Sequence, residues 1–288
     1  MRSAISRECV MNFPARACYE RAMKFPIACS FASVLFVATA AAQYTTGFEN
    51  PPFASGNIHL QDAWSGNSAA ARIRTAAEIA SDLTTLGLNP ANPVHGGSQA
   101  FLVSATNVAG STTLRPVSGL QSELNVLLEV WARPLGAPAA NMGNVFLVME
   151  DNASTPIRGA AFRFGSPVGE GGVLKIDYAT SSEANVFSWQ SSGVLWNTDS
   201  WYHFAMDVNY ATKTYDFFID GNQINVDPIP FYNRNSANFS QIRVFRGGNQ
   251  VGMILDDLSV TVVPEPTTVA LLLTGLGALL WRRKCSRA

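Results

Sequence analysis

Apolar and polar residues alternate along most of this chain, in short runs separated by turn residues. Between residues 94 and 262 the runs are rich in Val, Phe, Tyr and Leu, and Gly, Pro, Asn and Ser lie between them. A period of two predicts β-strands with one buried face. In the clearest run every second side chain from Tyr202 to Tyr210 is apolar, and further on Asp220-Gly221 predicts a tight turn. So many short strands predict an all-β fold, a two-sheet antiparallel jelly-roll sandwich.

One segment before these strands has the helical period instead. Thr75 followed by Glu78 matches a capping box, Ile79 and Leu83 recur at helical spacing, and Gly87 lies where a helix C-terminus is expected. Because the segment is short and alone, we predict one short helix that packs on the sandwich.

The first 42 residues have a different pattern. Basic residues precede an apolar stretch, and small residues follow it, with Ala40 and Ala42 in the A-x-A arrangement. This order predicts a secretory signal peptide over residues 1–42, which signal peptidase cuts after Ala42. A signal of ordinary length would begin at Met23, which we therefore interpret as the true start.

Residues 263–288 carry a second targeting pattern. Two prolines flank a glutamate, an apolar run follows, and basic residues end the segment. Proline lacks the backbone donor, so neither a strand nor a helix continues through this triplet. The apolar run is near the lower limit for crossing a bilayer as a helix, and its basic end would stay in the cytoplasm. The residues that define the pattern are Pro264, Glu265, Pro266, Arg282 and Arg283.

This tail resembles the PEP-CTERM sorting signal of bacterial envelope proteins. The resemblance implies a substrate of an exosortase, a membrane protease that cuts at or near the Pro264-Glu265-Pro266 triplet, in bacteria that make exopolysaccharide. It also implies an exported protein of a Gram-negative-type bacterium, with a C-terminal transmembrane helix before processing. The alternative is a plain membrane anchor that the protein retains.

Removal of both ends changes the composition of what remains. All four cysteines fall in the end segments, at positions 9, 18, 29 and 285, so residues 43–262 can form neither a disulfide nor a thiolate metal site. The whole chain has a net charge of −1, whereas residues 43–263 carry 18 Asp and Glu against 11 Lys and Arg. This negative balance argues against a nucleic-acid partner and favours calcium as a ligand.

Residues 43–262 resemble the laminin-G-like or concanavalin A-like jelly-roll superfamily. The positions that carry the resemblance are Phe48-Glu49, Trp64, residues 94–103, Trp201-Tyr202-His203, and Ile254 to Val260 with Asp256 and Asp257. The superfamily includes carbohydrate-binding modules, adhesion domains and glucanases, so the resemblance alone does not decide the function.

No catalytic residue is predicted. Retaining glucanases of this fold carry two Glu that flank an Asp on one strand, and the two Glu act as nucleophile and acid. The nearest stretch here is Lys175-Ile176-Asp177, where a lysine occupies the first Glu position. The three histidines are far apart in the sequence and match no zinc-binding frame, and no G-x-S-x-G elbow is present.

Aromatic side chains beside amides or carboxylates are typical of sugar sites on β-sandwiches, because the rings pack against the apolar faces of pyranoses. The tryptophans at positions 131, 189, 196 and 201 are all candidates, and each could equally belong to the core. Trp196 lies in a polar stretch, so we expect it to be the most exposed. The predicted ligand-binding residues are Trp196, Tyr232 and Asn233.

Adjacent carboxylates supply the hard oxygen ligands that calcium prefers. The sequence has no D-x-D-x-D-G loop, and paired acids at strand ends are often only solvated, so both interpretations stay open. The predicted metal ligands are Glu150, Asp151, Asp256 and Asp257.

Together these patterns predict an exported bacterial surface or extracellular-matrix protein. Its central domain is expected to bind glycan or to act in adhesion, without catalysis, and an extracellular polysaccharide is the expected partner. A purely structural matrix or biofilm component without a specific ligand is the first alternative. A glycan-cleaving enzyme is the second.

Overall fold

The computed structural model of the chain describes residues 42–66, 70–104, 111–136, 144–151, 157–165, 174–247 and 251–263, together with Gly275. Within these residues the chain forms two antiparallel β-sheets and one α-helix, which confirms the predicted sandwich. The predicted signal peptide up to residue 41 and the sorting tail from residue 264, apart from Gly275, lie outside the described residues.

The larger sheet contains ten strands in the described residues. Numbered along the chain, they are β1 (Ala42–Thr46), β2 (Gly56–Asn57), β4 (Ala71–Thr75), β5 (Gln99–Val103), β7 (Asn125–Leu135), β12 (Tyr202–Asn209), β13 (Thr214–Ile219), β14 (Asn222–Gln223), β15 (Ile229–Pro230) and β17 (Gly252–Val262). Their spatial order is β14-β13-β12-β7-β17-β5-β4-β2, while β1 also pairs with β17 and β15 with β13.

The smaller sheet contains seven strands in the same part of the chain. They are β3 (Ser65–Gly66), β6 (Ser111–Pro116), β8 (Val145–Glu150), β9 (Arg158–Gly165), β10 (Lys175–Ser181), β11 (Phe187–Leu195) and β16 (Gln241–Arg246). Their order is β11-β10-β9-β8-β16-β6-β3.

Phenylalanines from both sheets meet in the core. The ring of Phe162 on β9 stacks on the ring of Phe204 on β12, with a centroid distance of 4.0 Å, and Phe217 on β13 lies 6.0 Å from Phe204. All three side chains are fully buried. Burial of each such side chain contributes about 1.5–3 kcal/mol to folding, so this stack is a main source of stability.

The predicted helix is confirmed as α1 (Ala76–Thr85), with its capping box in place. The hydroxyl of Thr75 accepts a hydrogen bond from the N–H of Glu78 at 3.3 Å, and the Glu78 carboxylate accepts one from the N–H of Thr75 at 2.8 Å. Ile79 and Leu83 are buried on the ten-stranded sheet, and Gly87 has the left-handed backbone of a helix terminus, with φ of 69°.

A buried arginine holds the loop that follows this helix. The guanidinium of Arg133 on β7 donates hydrogen bonds to the backbone carbonyls of Asn89, Ala91, Asn92 and Thr198, at 2.6–3.0 Å. Its side chain is fully buried, and burial lowers the pKa of Arg133 below its usual range. Because a buried charge is costly unless it is hydrogen-bonded, these carbonyls are fixed around it.

Asp256 on β17 holds the next part of the same loop. Its carboxylate accepts hydrogen bonds from the N–H groups of His95 at 3.0 Å and Gly96 at 3.1 Å, and from the N–H of Asp257 at 2.9 Å. Burial raises the pKa of Asp256 to about 7, and the charge of Asp257 adds to the rise, whereas the three N–H groups lower it. The ring Nδ1 of His95 lies 2.7 Å from the Asp257 carboxylate, so two carboxylates hold this turn.

Among the helices of the described residues, none is long and apolar enough to cross a membrane. The predicted C-terminal transmembrane helix falls in residues 263–288, nearly all of which are outside the described part.

All described strands and the helix lie between Ala42 and Val262, and both sheets contribute to one core. A polypeptide of residues 42–263 therefore contains the whole described sandwich. At this length a chain buries enough surface to fold without disulfides.

Replacement of a core ring on β13 tests the sandwich. Phe217→Ala is expected to lower the free energy of unfolding of the 42–263 polypeptide by about 3–5 kcal/mol, because it removes a fully buried ring. The neighbouring Phe218 points to the other side of the strand and is partly exposed. Phe218→Ala should cost about 1 kcal/mol or less in the same urea titration. Equal losses would contradict the assigned face of β13.

The pH dependence of stability tests the environment of Asp256. The folded-state pKa of Asp256, about 7, exceeds the usual 3.8. The protonated side chain therefore makes its full contribution to the free energy of unfolding at about pH 4 and below. As the pH rises from about 4 to about 7, the unfolded chain ionises first, and the free energy of unfolding falls. Urea titrations from about pH 4 to about pH 8 measure the free energy of unfolding of the native protein and of Asp256→Asn. The native value minus the variant value should therefore decrease as the pH rises.

The control for this series is Asp227→Asn, which changes an exposed carboxylate in a loop. Its difference from the native protein should show no comparable fall between pH 4 and 7. A difference for Asp256→Asn that grows with pH would mean that the three N–H groups outweigh burial.

Candidate binding face of the seven-stranded sheet

Two strands at the centre of the seven-stranded sheet are buried along most of their length on both sides. β8 has the sequence VFLVME and β9 the sequence RGAAFRFG, and nearly every position is buried. One side of each strand faces the core. On the other side Phe146, Val148, Ala161 and Ala179 form a separate buried cluster, so another layer of side chains covers this side of the sheet.

An aromatic layer provides this cover. Its members are partly buried and pack on the outer cluster, and they are Phe187, Trp189, Tyr232 and Phe245. Phe187 and Tyr232 stack with a centroid distance of 3.8 Å, and Trp189 contacts Phe187 edge-on at 5.5 Å. We call this layer, with the arginines described next, the aromatic face.

Arginines lie over the aromatic rings. The guanidinium carbon of Arg163 lies 4.5 Å from the centre of the Trp189 ring, within the range of a cation–π contact. That of Arg158 lies 5.2 Å from the Tyr232 ring, and Arg158 also donates a hydrogen bond of 3.0 Å to the Tyr232 hydroxyl. The Trp189 and Tyr232 rings are thus each held by an arginine.

Two buried carboxylates lie beneath these arginines. Asp177 accepts a hydrogen bond of 2.8 Å from Nε of Arg163, and Glu150 accepts one of 2.7 Å from Nε of Arg243. Glu150 also lies 3.4 Å from Arg158. The side chains of Glu150 and Asp177 are 0% and 3% exposed, whereas those of Arg158, Arg163 and Arg243 are 31%, 12% and 17% exposed. The charge that reaches the surface here is therefore positive.

Two of the predicted ligand-binding residues lie at the edge of this face. The N–H of Tyr232 donates to the carbonyl of Gly159 at 2.8 Å, and the N–H of Asn233 donates to the carbonyl of Arg158 at 3.0 Å. The side-chain oxygen of Asn233 accepts a hydrogen bond from Asn185 at 3.0 Å. The structure thus places the Tyr232 ring 6.5 Å from the Trp189 ring and Asn233 beside Asn185.

The expectation that Trp196 is exposed is wrong. Its side chain is 4% exposed and packs edge-on against Phe164 of the core, with a centroid distance of 6.0 Å. Its indole N–H donates to the carbonyl of Gly165 at 3.2 Å. The polar residues that follow form a surface turn, while the indole itself turns inward, so Trp196 belongs to the core and not to a ligand platform.

The four predicted metal ligands do not form one site. Glu150 and Asp151 lie at the end of β8, whereas Asp256 and Asp257 lie on β17 of the other sheet. Glu150 is paired with arginines, and Asp151 is buried and accepts the N–H of Ile157 at 2.8 Å. In the part of the chain that the structure describes, no group of three or more His, Cys, Asp or Glu side chains is arranged to hold a metal ion. Calcium stays a prediction.

Two of the three histidines, His95 and His203, are closer in space than their sequence positions suggest. His95 stacks on Trp131 at 3.8 Å, and His203 lies 5.0 Å from the same ring, on the outer side of the ten-stranded sheet. The carboxylate of Glu129 lies 3.7 Å from His203. The imidazole of His95 therefore covers one face of the Trp131 ring.

Sequence reasoning missed Phe187, Phe245 and the three arginines. The available signal was the lack of alternation in β8, because a strand that is apolar on both sides needs cover on both sides.

Comparisons with known proteins match the C-terminal targeting pattern and the sandwich fold. The PEP-CTERM protein-sorting motif matches residues 262–284, and such a motif marks an exported protein with a C-terminal sorting tail. No curated protein matches the chain.

Among solved structures, the chain is similar to the conserved carbohydrate esterase vb_24B_21 from the Shiga toxin-encoding bacteriophage phi24B. The TM-score is 0.52 at 14% identity, over 78% of this chain and 100% of the other. It is also similar to a sialidase, with a TM-score of 0.51 at 10% identity, over 77% of this chain. The match spans only 19% of the sialidase chain. At these identities the likeness concerns the fold alone, and the chain is an exported sandwich protein that carries the PEP-CTERM sorting motif.

Proposed function

We propose that the sandwich is a non-catalytic module that binds polysaccharide on its aromatic face, at the cell surface or in the extracellular matrix. The observation that carries the proposal is the partly exposed aromatic layer on the outer side of the seven-stranded sheet. Flat rings beside hydrogen-bonding side chains are what a pyranose requires, since its faces are apolar and its edges carry hydroxyls. We also propose that the sandwich is a member of the concanavalin A-like superfamily.

The carboxylates of the aromatic face support a binding role over hydrolysis. Glycoside hydrolysis needs a proton donor and a second carboxylate that can reach the glycosidic bond. Here Glu150 and Asp177 are buried beneath arginines and accept charged hydrogen bonds at 2.7 and 2.8 Å. We therefore expect no new reducing ends when the protein is incubated with a polymer that it binds.

Export would bring the sandwich to the place where it can meet a polysaccharide. The sorting motif implies processing by an exosortase, and we propose that signal peptidase acts first, after Ala42. Exosortase cleavage near the Pro264-Glu265-Pro266 triplet would then leave the sandwich outside the inner membrane, next to exopolysaccharide.

Removal of an aromatic side chain from the aromatic face tests the proposal. Trp189→Ala and Tyr232→Ala should each weaken binding of the 42–263 polypeptide to its polysaccharide by about tenfold, because each removes a stacking ring. Affinity gel electrophoresis against a panel of soluble bacterial and plant polysaccharides measures the change. Trp131→Ala, which removes a partly exposed ring from the opposite sheet, should leave binding unchanged.

Each variant is first compared with the native protein by its Tm and its near-ultraviolet circular dichroism, so that a lost fold is not counted as lost binding. If no polymer in the panel is retarded, the binding proposal is wrong, and the purely structural matrix component becomes the better description. Release of reducing ends would instead favour the enzyme.

Calcium is tested separately, as a prediction for Asp256 and Asp257. Added calcium should raise the Tm of the native protein, by mass action on a site that only the folded state holds. The rise should be absent in Asp257→Asn, because its carboxylate is 45% exposed and available to an ion. If added calcium leaves the Tm of the native protein unchanged, the prediction of a calcium site is wrong.

A further inference from the structure

The aromatic face carries more positive than negative charge. Three arginines and two carboxylates meet there, and only the arginines reach the surface. Glu150 and Asp177 lie beneath them at 0% and 3% exposure, so a ligand on this face meets guanidinium groups and aromatic rings. A face of this kind attracts anions.

The rest of the domain has the opposite charge. Residues 43–263 carry seven more acidic than basic side chains. On the outer side of the ten-stranded sheet, Asp207 lies directly opposite Asp216 on the next strand, and Glu129 lies on the same side. Burial raises the pKa of Asp207, and the neighbouring charge of Asp216 raises it further. Over β7, β12 and β13 the opposite outer side of the sandwich therefore presents acidic side chains, unlike the aromatic face.

The arginines are also held in fixed positions. Arg163 is placed between the Asp177 carboxylate and the Trp189 ring, at 2.8 Å and 4.5 Å, and Arg158 between Glu150 and Tyr232. An arginine that is already oriented loses little conformational freedom on binding, and its planar guanidinium matches the geometry of a carboxylate or sulfate.

We infer that the ligand of the aromatic face is an anionic polysaccharide, whose sugars carry carboxylate or sulfate groups. The rings pack on the sugar faces, and Arg158, Arg163 and Arg243 bind the acidic groups. This inference rests on the proposed function, since it names the chemical class of the polymer for the same face.

The test compares polymers that differ only in charge. Polygalacturonate is paired with its fully methyl-esterified form, and dextran sulfate is paired with dextran, which separates carboxylate from sulfate. The 42–263 polypeptide should bind at least one acidic polymer about tenfold more tightly than its neutral partner. Binding should weaken as NaCl is raised from about 50 to about 500 mM, because salt screens partly exposed charges.

Arg158→Gln identifies the source of the preference. It removes the most exposed arginine of the face and the ion-pair contact of Oε1 of Glu150. Oε2 of Glu150 keeps its hydrogen bonds from Arg243 and Gln241, so the buried carboxylate stays paired with one arginine. We expect about fivefold weaker binding of the acidic polymer and a smaller loss for neutral polymers, because the variant also removes the hydrogen bond to the Tyr232 hydroxyl. The control is Arg74→Gln, which removes a partly exposed arginine beside helix α1 and should leave both affinities unchanged.

The possible results separate the inference from the proposed function. Equal binding of charged and uncharged forms, or a preference that Arg158→Gln leaves intact, overturns the inference. If only neutral polymers bind and Trp189→Ala abolishes that binding, the inference is wrong while the proposed function stands. If no polymer binds, both fall. A charge preference that Arg158→Gln reduces and Arg74→Gln does not supports the inference.

Discussion

The structure depends on the phase of alternation in β9, which is set where Phe162 stacks on Phe204 at 4.0 Å. With Phe162 in the core, its neighbours Ala161 and Arg163 necessarily point to the other side of the sheet. A slip of one residue would bury Arg163 among phenylalanines and expose Phe162, which the core cannot tolerate. The packing of the core therefore also decides which side chains form the aromatic face.

The fold class followed from the sequence because alternation is local. Tyr202 to Tyr210 show it clearly, and the capping box of Thr75 and Glu78 needs only four consecutive residues to be recognised. The aromatic face could not be found in this way, since Tyr232, Trp189 and Arg163 come from three distant segments. Trp196 shows the same limit, because the polarity of its neighbours did not reveal that its indole reaches Gly165 in the core.

The buried ion pairs of this face are poorly explained by stability alone. Taking Glu150 and Asp177 out of water costs several kcal/mol for each ion, and the attraction of the arginines often only offsets this cost. An apolar pair of similar size would serve the sandwich at least as well. What the buried carboxylates do provide is orientation, since each one holds an arginine against a ring. The arrangement is consistent with selection for a surface whose side chains are already in place when a ligand arrives.

The position of β17 determines how the domain would respond to a pull. This strand is the last one before the sorting tail, and it lies inside the ten-stranded sheet, hydrogen-bonded to β7 on one side and to β5 and β1 on the other. Tension between a polymer and a C-terminal tether would act along the strand, so that many ladder hydrogen bonds bear the load together and share it. An edge strand peeled from its end would instead lose them one after another. If the domain were held through its C-terminus, the load would thus fall on a strand that resists shear.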